Sequence, residues 1–249
     1  VADRHDKLIE SLGDKHEARL LRAIKRLERE VVRAANDAPT RGGRLYDARF
    51  AIQLRKELSK IFTEEYLSAA NLSIVEYQEA VDSITKLFGE LDVPLDLKQA
   101  DKEVIQQLQK ISFQGFQAQA NTAIEELSDI LYTSTVTGGN TADLVLSLQD
   151  ALDKRLKRHA GQMVHDTLSQ FDATLLRKFG EDTGAEKWKY TGTSITTTRK
   201  WCRNHIDMVM TEEEIREDWS KEWDGKAEGD PFVVRGGYNC RHRWRPVFE

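Results

Sequence analysis

Proline and glycine are scarce in this sequence, at 4 and 15 of 249 residues, and they cluster, so little interrupts long helices. Two cysteines, both near the C-terminal end, are too few for a disulfide-stapled scaffold. No stretch reaches the roughly 18 consecutive apolar residues that a bilayer-crossing helix needs. The opening residues Asp3, Arg4, Asp6 and Lys7 lack the apolar core of a secretory signal, so synthesis in a cytoplasm and no membrane partner are expected. Positive charge is also short: 37 Lys and Arg against 42 Asp and Glu leave a formal charge of -5. That excludes coating of nucleic acid, which needs concentrated cations, though not a local contact. Gly-x-Ser-x-Gly, P-loop and His-Glu-x-x-His motifs are absent, and nothing anchors a hydrolase or nucleotide-binding reading.

What is present is helical periodicity. Hydrophobic residues make up 39% of the chain and charged residues 32%, with a mean hydropathy of -0.59, which suits helices that each keep one wet face. Over residues 4–36, Leu8, Leu12, His16, Leu20, Ile24, Leu27 and Val31 recur every three or four positions between charged residues. Pro39 and Gly42-Gly43 end that helix. A second helical region, about 45–88 and in two pieces, carries Leu54, Leu58, Ile61, Phe62, Leu67 and Ile74. A turn over Gly89 to Pro94 leads to a helix at about 96–131 with a stripe of Ile105, Leu108, Ile111, Phe116, Ile124 and Leu127. Glutamines fill its other positions, either as packing faces or as uncharged solvent surface. Gly138-Gly139 resets the chain, Asn140 or Thr141 caps the next helix, and Leu144, Leu148, Leu152 and Leu156 form its stripe. A further helix with Met163, Val164, Leu168, Phe171 and Leu175 runs up to Gly180.

Composition changes after Gly180. All five tryptophans (Trp188, Trp201, Trp219, Trp223, Trp244) and both cysteines lie beyond it, and Thr191 to Thr198 is β-prone and turn-rich. The expected fold is mainly α: an elongated multi-helix body over 1–184 and a small α+β, Cys/His/Trp-rich C-terminal domain over 185–249. Within that domain Thr211 followed by Glu214 is a capping-box helix start, with Ile215 and Trp219 facing inward. Residues 207–230 hold ten acidic against three basic side chains, which a solvated helix explains and which could also meet a cation or a basic partner.

Cys202-Arg-Asn-His205 and Cys240-Arg-His242 offer four soft or borderline ligands, the inventory of a tetrahedral structural zinc site. Three readings of this set stay open: metal ligation by Cys202, His205, Cys240 and His242, a Cys202–Cys240 disulfide, and packing cysteines beside hydrogen-bonded histidines. Asn239 and His242, with His205 upstream, have a superficial likeness to small metal-dependent nucleases, so a DNA-contacting or nuclease-like factor is the alternative function. Arg235, Tyr238, Arg241 and Trp244 form an arginine–aromatic cluster of the kind found at protein interfaces, and intradomain cation–π packing is the other reading. Gly236-Gly237 supplies a tight turn where a Cβ is expected to be excluded.

The strings Thr198-Arg199 before Cys202, Met210-Thr211-Glu212-Glu213-Glu214-Ile215, and above all Arg235-Gly236-Gly237-Tyr238-Asn239-Cys240-Arg241-His242, with Trp188 and Pro246-Val247, together resemble the C-terminal domain of the Mu F-like head morphogenesis family of tailed phages. The resemblance covers about residues 185–249. The chain departs from many relatives in having Cys240-Arg241-His242 where they have Cys-Arg-Cys, and in lacking an Asp before Thr198-Arg199. The resemblance implies a non-enzymatic minor head protein, assembled in the bacterial cytoplasm and present in the virion in few copies. It would assist head assembly and genome ejection. The partners implied are the portal protein, the major capsid protein or both, with further copies of the chain as a homo-oligomer and DNA nearby. Some relatives carry a toxin domain after this region, for which Glu249 leaves no room.

Overall fold

A computed structural model describes residues 2–248. The fold is mainly α with a small α+β region at the C-terminal end. Helix α1 (Ala2–Asn36) is followed by a hairpin of β1 (Thr40–Arg41) and β2 (Arg44–Leu45). Helix α2 (Ala48–Ile61) passes through a π-helical turn (Phe62–Leu67) into α3 (Ser68–Val75), and α4 (Gln78–Glu90) and α5 (Gln99–Val136) follow. Helix α6 (Thr141–Leu152) continues through a second π turn (Asp153–Lys157) to α7 (Ala160–Asp182). The remainder runs β3 (Lys187–Thr191), α8 (Lys200–His205), β4 (Val209–Thr211), α9 (Glu212–Ser220), α10 (Pro231–Val234) and β5 (Arg243–Val247).

The chain divides into two compact units, one of Val1–Asp14, Glu76–Lys110 and Gln162–Glu249, the other of Lys15–Val75 and Ile111–Gly161. A single cut near residue 185 does not describe this division, because α1 and α5 each contribute to both units, and residues 185–249 share theirs with helical segments.

In the second unit the apolar stripes face one another as their spacing requires. Leu20, Ile24, Leu27 and Val31 of α1, Leu54 and Leu58 of α2, Phe116 and Leu127 of α5, and Leu144 and Leu148 of α6 are all buried. Each such side chain contributes about 1.5–3 kcal/mol. Tyr66, in the first π turn, packs on Phe116 at 6.4 Å between ring centroids. The π turn adds a residue to the helical repeat and keeps both Phe62 and Tyr66 on the buried side. Asn140 caps α6 as expected, its side-chain oxygen accepting from Asp143 N at 2.8 Å.

Three local expectations change. Gly42-Gly43 form the turn of a small hairpin rather than a simple helix stop, and Leu45 N donates to Gly139 O at 2.9 Å. Ile111, placed by spacing in the α5 stripe, is 52% exposed. Of the α5 glutamines, Gln106, Gln107, Gln114 and Gln117 are solvent surface, whereas Gln119 donates to Arg155 O at 2.6 Å.

In the first unit, Tyr77, just ahead of α4, packs on Phe171 of α7, with Phe88 against Phe179 and Phe248. The sheet order is β4-β3-β5, antiparallel throughout, with Trp188 opposite Met210 on one side and Pro246 on the other. The strand lies at Lys187–Thr191, ahead of the Thr/Ser run, because only there do residues alternate: Trp188 and Tyr190 point inward and Lys187 and Lys189 outward. Trp188, Tyr190, Trp201, Cys202, Ile215, Trp219, Phe232, Cys240 and Trp244 make one buried cluster.

Candidate functional site

The two Cys segments meet at the centre of that cluster. Cys202 lies on α8, which starts at Lys200 after the turn holding Thr198. Cys240 lies in the loop between α10 and β5, and His242 directly precedes β5. Their donor atoms fall within 4.8 Å of one another. The Cys202 and Cys240 sulfurs are 3.9 Å apart and not bonded, and Cys240 Sγ is 3.5 Å from His242 Nδ1. The Tyr190 hydroxyl sits over both sulfurs, at 3.6 Å from Cys202 and 3.5 Å from Cys240. Its ring stacks on His242, with centroids 5.5 Å apart and 13° between planes.

Gly236 makes this convergence possible. A Cβ there would stand 2.1 Å from Cys202 Sγ and 2.9 Å from both Cys240 Sγ and Tyr190 Oη, so no larger residue fits. The expected steric exclusion at the Gly-Gly turn thus falls on the two sulfurs. A Cβ at Gly192 would likewise approach His242 Cδ2 to 2.5 Å. The loop is tied down by Asp166 of α7, which accepts from Asn239 N at 2.9 Å. Burial pushes the Asp166 carboxyl up, against the Arg235 charge and the Asn239 N–H that favour its ionised form.

The two thiols titrate as a pair. The Cys202 hydrogen bond holds Cys240 well below the usual thiol range against its own burial, and the same contact, with burial, pushes Cys202 up.

His205 does not join them. Its Nδ1 donates to Trp201 O at 2.7 Å and its Nε2 lies 2.9 Å from Asp218 Oδ2, so both ring nitrogens are taken. Asp218 also accepts from Trp201 Nε1 at 2.8 Å, and His205 braces the stacked Trp201–Trp223 pair. His242, in contrast, has no hydrogen-bond partner other than the Cys240 sulfur among the described residues, and its Nε2 is buried.

Of the four arginine–aromatic positions, Arg235 and Trp244 are 1% and 2% exposed and belong to the interior. Arg235 donates to Cys240 O at 3.0 Å. Tyr238 and Arg241 lie at the surface, where Arg241 pairs with Glu10 at 2.9 Å. The acidic stretch is largely engaged internally: Glu212 and Asp230 pair with Arg177 and Arg216, and Asp218 with His205 and Lys221.

One constellation escaped sequence reasoning. His5 Nε2 donates to Asp172 Oδ1 at 2.8 Å, and His5 Nδ1 is 2.9 Å from Ser83 Oγ. Arg243 pairs with Asp172 at 3.2 Å and with Asp6 at 3.0 Å, and Arg245 reaches Asp6 at 2.5 Å. Burial works to raise the Asp172 carboxyl, but the His5 and Arg243 charges hold it below the usual range. The available signal was Arg243 and Arg245 two apart on one strand, hence on one face of it.

A cavity of about 670 Å³ opens beside the Cys202–Cys240–His242 group, with Glu10, Thr198 and Arg199 also in its wall. Comparison with protein families, with curated proteins and with solved structures finds no match to this chain. Among the described residues no helix is long and apolar enough to cross a membrane.

Proposed function

We propose that this chain is a minor head protein of a tailed bacteriophage, without catalytic activity. In this reading it associates with the portal or the inner face of the capsid, assists head assembly and genome ejection, and resides in the virion. One observation carries the reading. Several of the residues through which the sequence resembles Mu F-like proteins lie at the packing centre of the C-terminal fold: Trp188, Arg235 and Cys240 are buried, and Gly236 is enclosed by the two sulfurs and Tyr190. A shared fold would leave its signature at such packing positions.

The test is co-expression of the full chain with the portal protein encoded beside it, followed by size exclusion. A stable complex supports the reading. Failure to associate with portal and with capsid protein, combined with metal-dependent cleavage of supercoiled DNA that His242→Ala abolishes, would replace it with the nuclease-like alternative.

A further inference from the structure

We propose that Cys202 Sγ, Cys240 Sγ and the His242 imidazole bind one thiophilic divalent cation, zinc in the first instance, and that the fourth coordination position faces solvent in the adjoining cavity. The proposal stands on side-chain geometry alone and is independent of the role in the phage head.

Zinc–sulfur bonds of about 2.3 Å and zinc–nitrogen bonds of about 2.0–2.1 Å place tetrahedral ligands ~3.8 Å apart for two sulfurs and ~3.6 Å for sulfur and nitrogen. The corresponding separations here are 3.9 Å for Cys202 to Cys240 and 3.5 Å for Cys240 to His242 Nδ1. Both separations match edges of a zinc tetrahedron, and the third pair, Cys202 Sγ and the His242 ring nitrogen, lies within 4.8 Å. Two thiolates and an imidazole select zinc over magnesium or calcium, which take oxygen ligands.

The surroundings favour ligation over simple packing. The His242 imidazole has no other hydrogen-bond partner among the described residues, while His205, the competing ligand by spacing, has both nitrogens engaged. Gly236 leaves room for the two sulfurs, and Gly192 for the imidazole. The Tyr190 hydroxyl donates to Cys202 Sγ and lies 3.5 Å from Cys240 Sγ, an outer hydrogen bond of the kind that steadies thiolate ligands. Three protein ligands with a cavity at the fourth position is the arrangement of an open site rather than a closed structural knuckle. On binding, zinc displaces the remaining thiol protons to solvent and no electron is transferred.

The full chain, purified under reducing conditions and dialysed against zinc, should retain about one zinc per chain, with an X-ray absorption first shell of two sulfurs at about 2.3 Å and the rest light atoms at about 2.0 Å. Cys240→Ser and His242→Ala should weaken retention against a chelator by about tenfold or more, and His205→Ala should leave it unchanged. Should the cysteine variant fail to fold, the absorption spectrum of the wild-type chain loaded with cobalt decides: sulfur-to-cobalt charge transfer is expected. Absence of bound metal, a first shell without sulfur, a Cys202–Cys240 disulfide in place of two titratable thiols, or loss of zinc in His205→Ala would each overturn the proposal.

Discussion

Asp172→Asn removes one negative charge from a buried site while keeping the side chain's volume. Asp172 is 1% exposed and faces His5 at 2.8 Å and Arg243 at 3.2 Å. Breaking a buried ion pair by neutralising one partner costs about 3–5 kcal/mol, because the other charge stays buried. Arg243 keeps Asp6 at 3.0 Å, so the lower end, about 3 kcal/mol, is expected. In a chain of this length each kcal/mol moves the melting temperature by about 2–4 °C, giving a fall of about 6–12 °C. The pH dependence follows from the sign of the shift. A carboxyl held below its unfolded value of about 3.9 stabilises the fold above that pH, and its contribution is lost as pH falls through the folded value. The gap between wild type and variant should hold down to about pH 5, begin to narrow near about pH 4, and close as pH falls through the lowered folded value. Thermal melts by circular dichroism across that range, with an Asp172→Asn/Arg243→Met double-mutant cycle, measure all of this. A variant melting within about 1 °C of wild type, or a gap that widens on acidification, would refute the reasoning.

Gly236→Ala should destabilise the C-terminal fold by about 3 kcal/mol, since its Cβ meets two sulfurs and a phenol, and should expose the thiols to faster reaction with a disulfide reagent. Unchanged thiol kinetics would count against the packing described. Thr211→Ala removes the hydroxyl that accepts from Glu214 N in the α9 capping box, leaving the backbone N–H of residue 211 to donate to Glu214, and should cost about 1 kcal/mol in urea unfolding. His205→Ala should cost about 1–3 kcal/mol by leaving Trp201 O and Asp218 short of a partner, with tryptophan fluorescence shifted through Trp201 and Trp223. An unshifted spectrum would show that His205 does not brace those rings.

Local signals were legible wherever chemistry and spacing sit close in sequence. The capping box at Thr211, the Asn140 cap and the inward Ile215 and Trp219 all depend on neighbours within a few residues, whereas the glycine requirement at Gly236 comes from Cys202 and Tyr190, far away in sequence. Spacing failed at Ile111, where an apolar residue in phase with its stripe has no partner to cover it. Over residues 191–198 the turn signal held, with Thr198 N donating to Ile195 O at 3.0 Å, but the strand signal of the threonines held only at Thr191, since the rest lacks the alternation a half-buried strand needs. For the site, proximity in sequence paired Cys202 with His205, yet the α8 turn directs that imidazole to Trp201 O and Asp218. The His5–Asp172–Arg243–Asp6 network joins residues as far as 238 positions apart, and no local pattern encodes such a pairing.

The proposed place in a phage head is tested most directly by quantitative mass spectrometry of tailed particles, purified by density, from the strain that carries this gene. The account predicts peptides from this chain in the particle fraction, a few copies for each portal ring. Recovery of the chain solely from the particle-free lysate, beside particles containing portal and capsid protein, would contradict it.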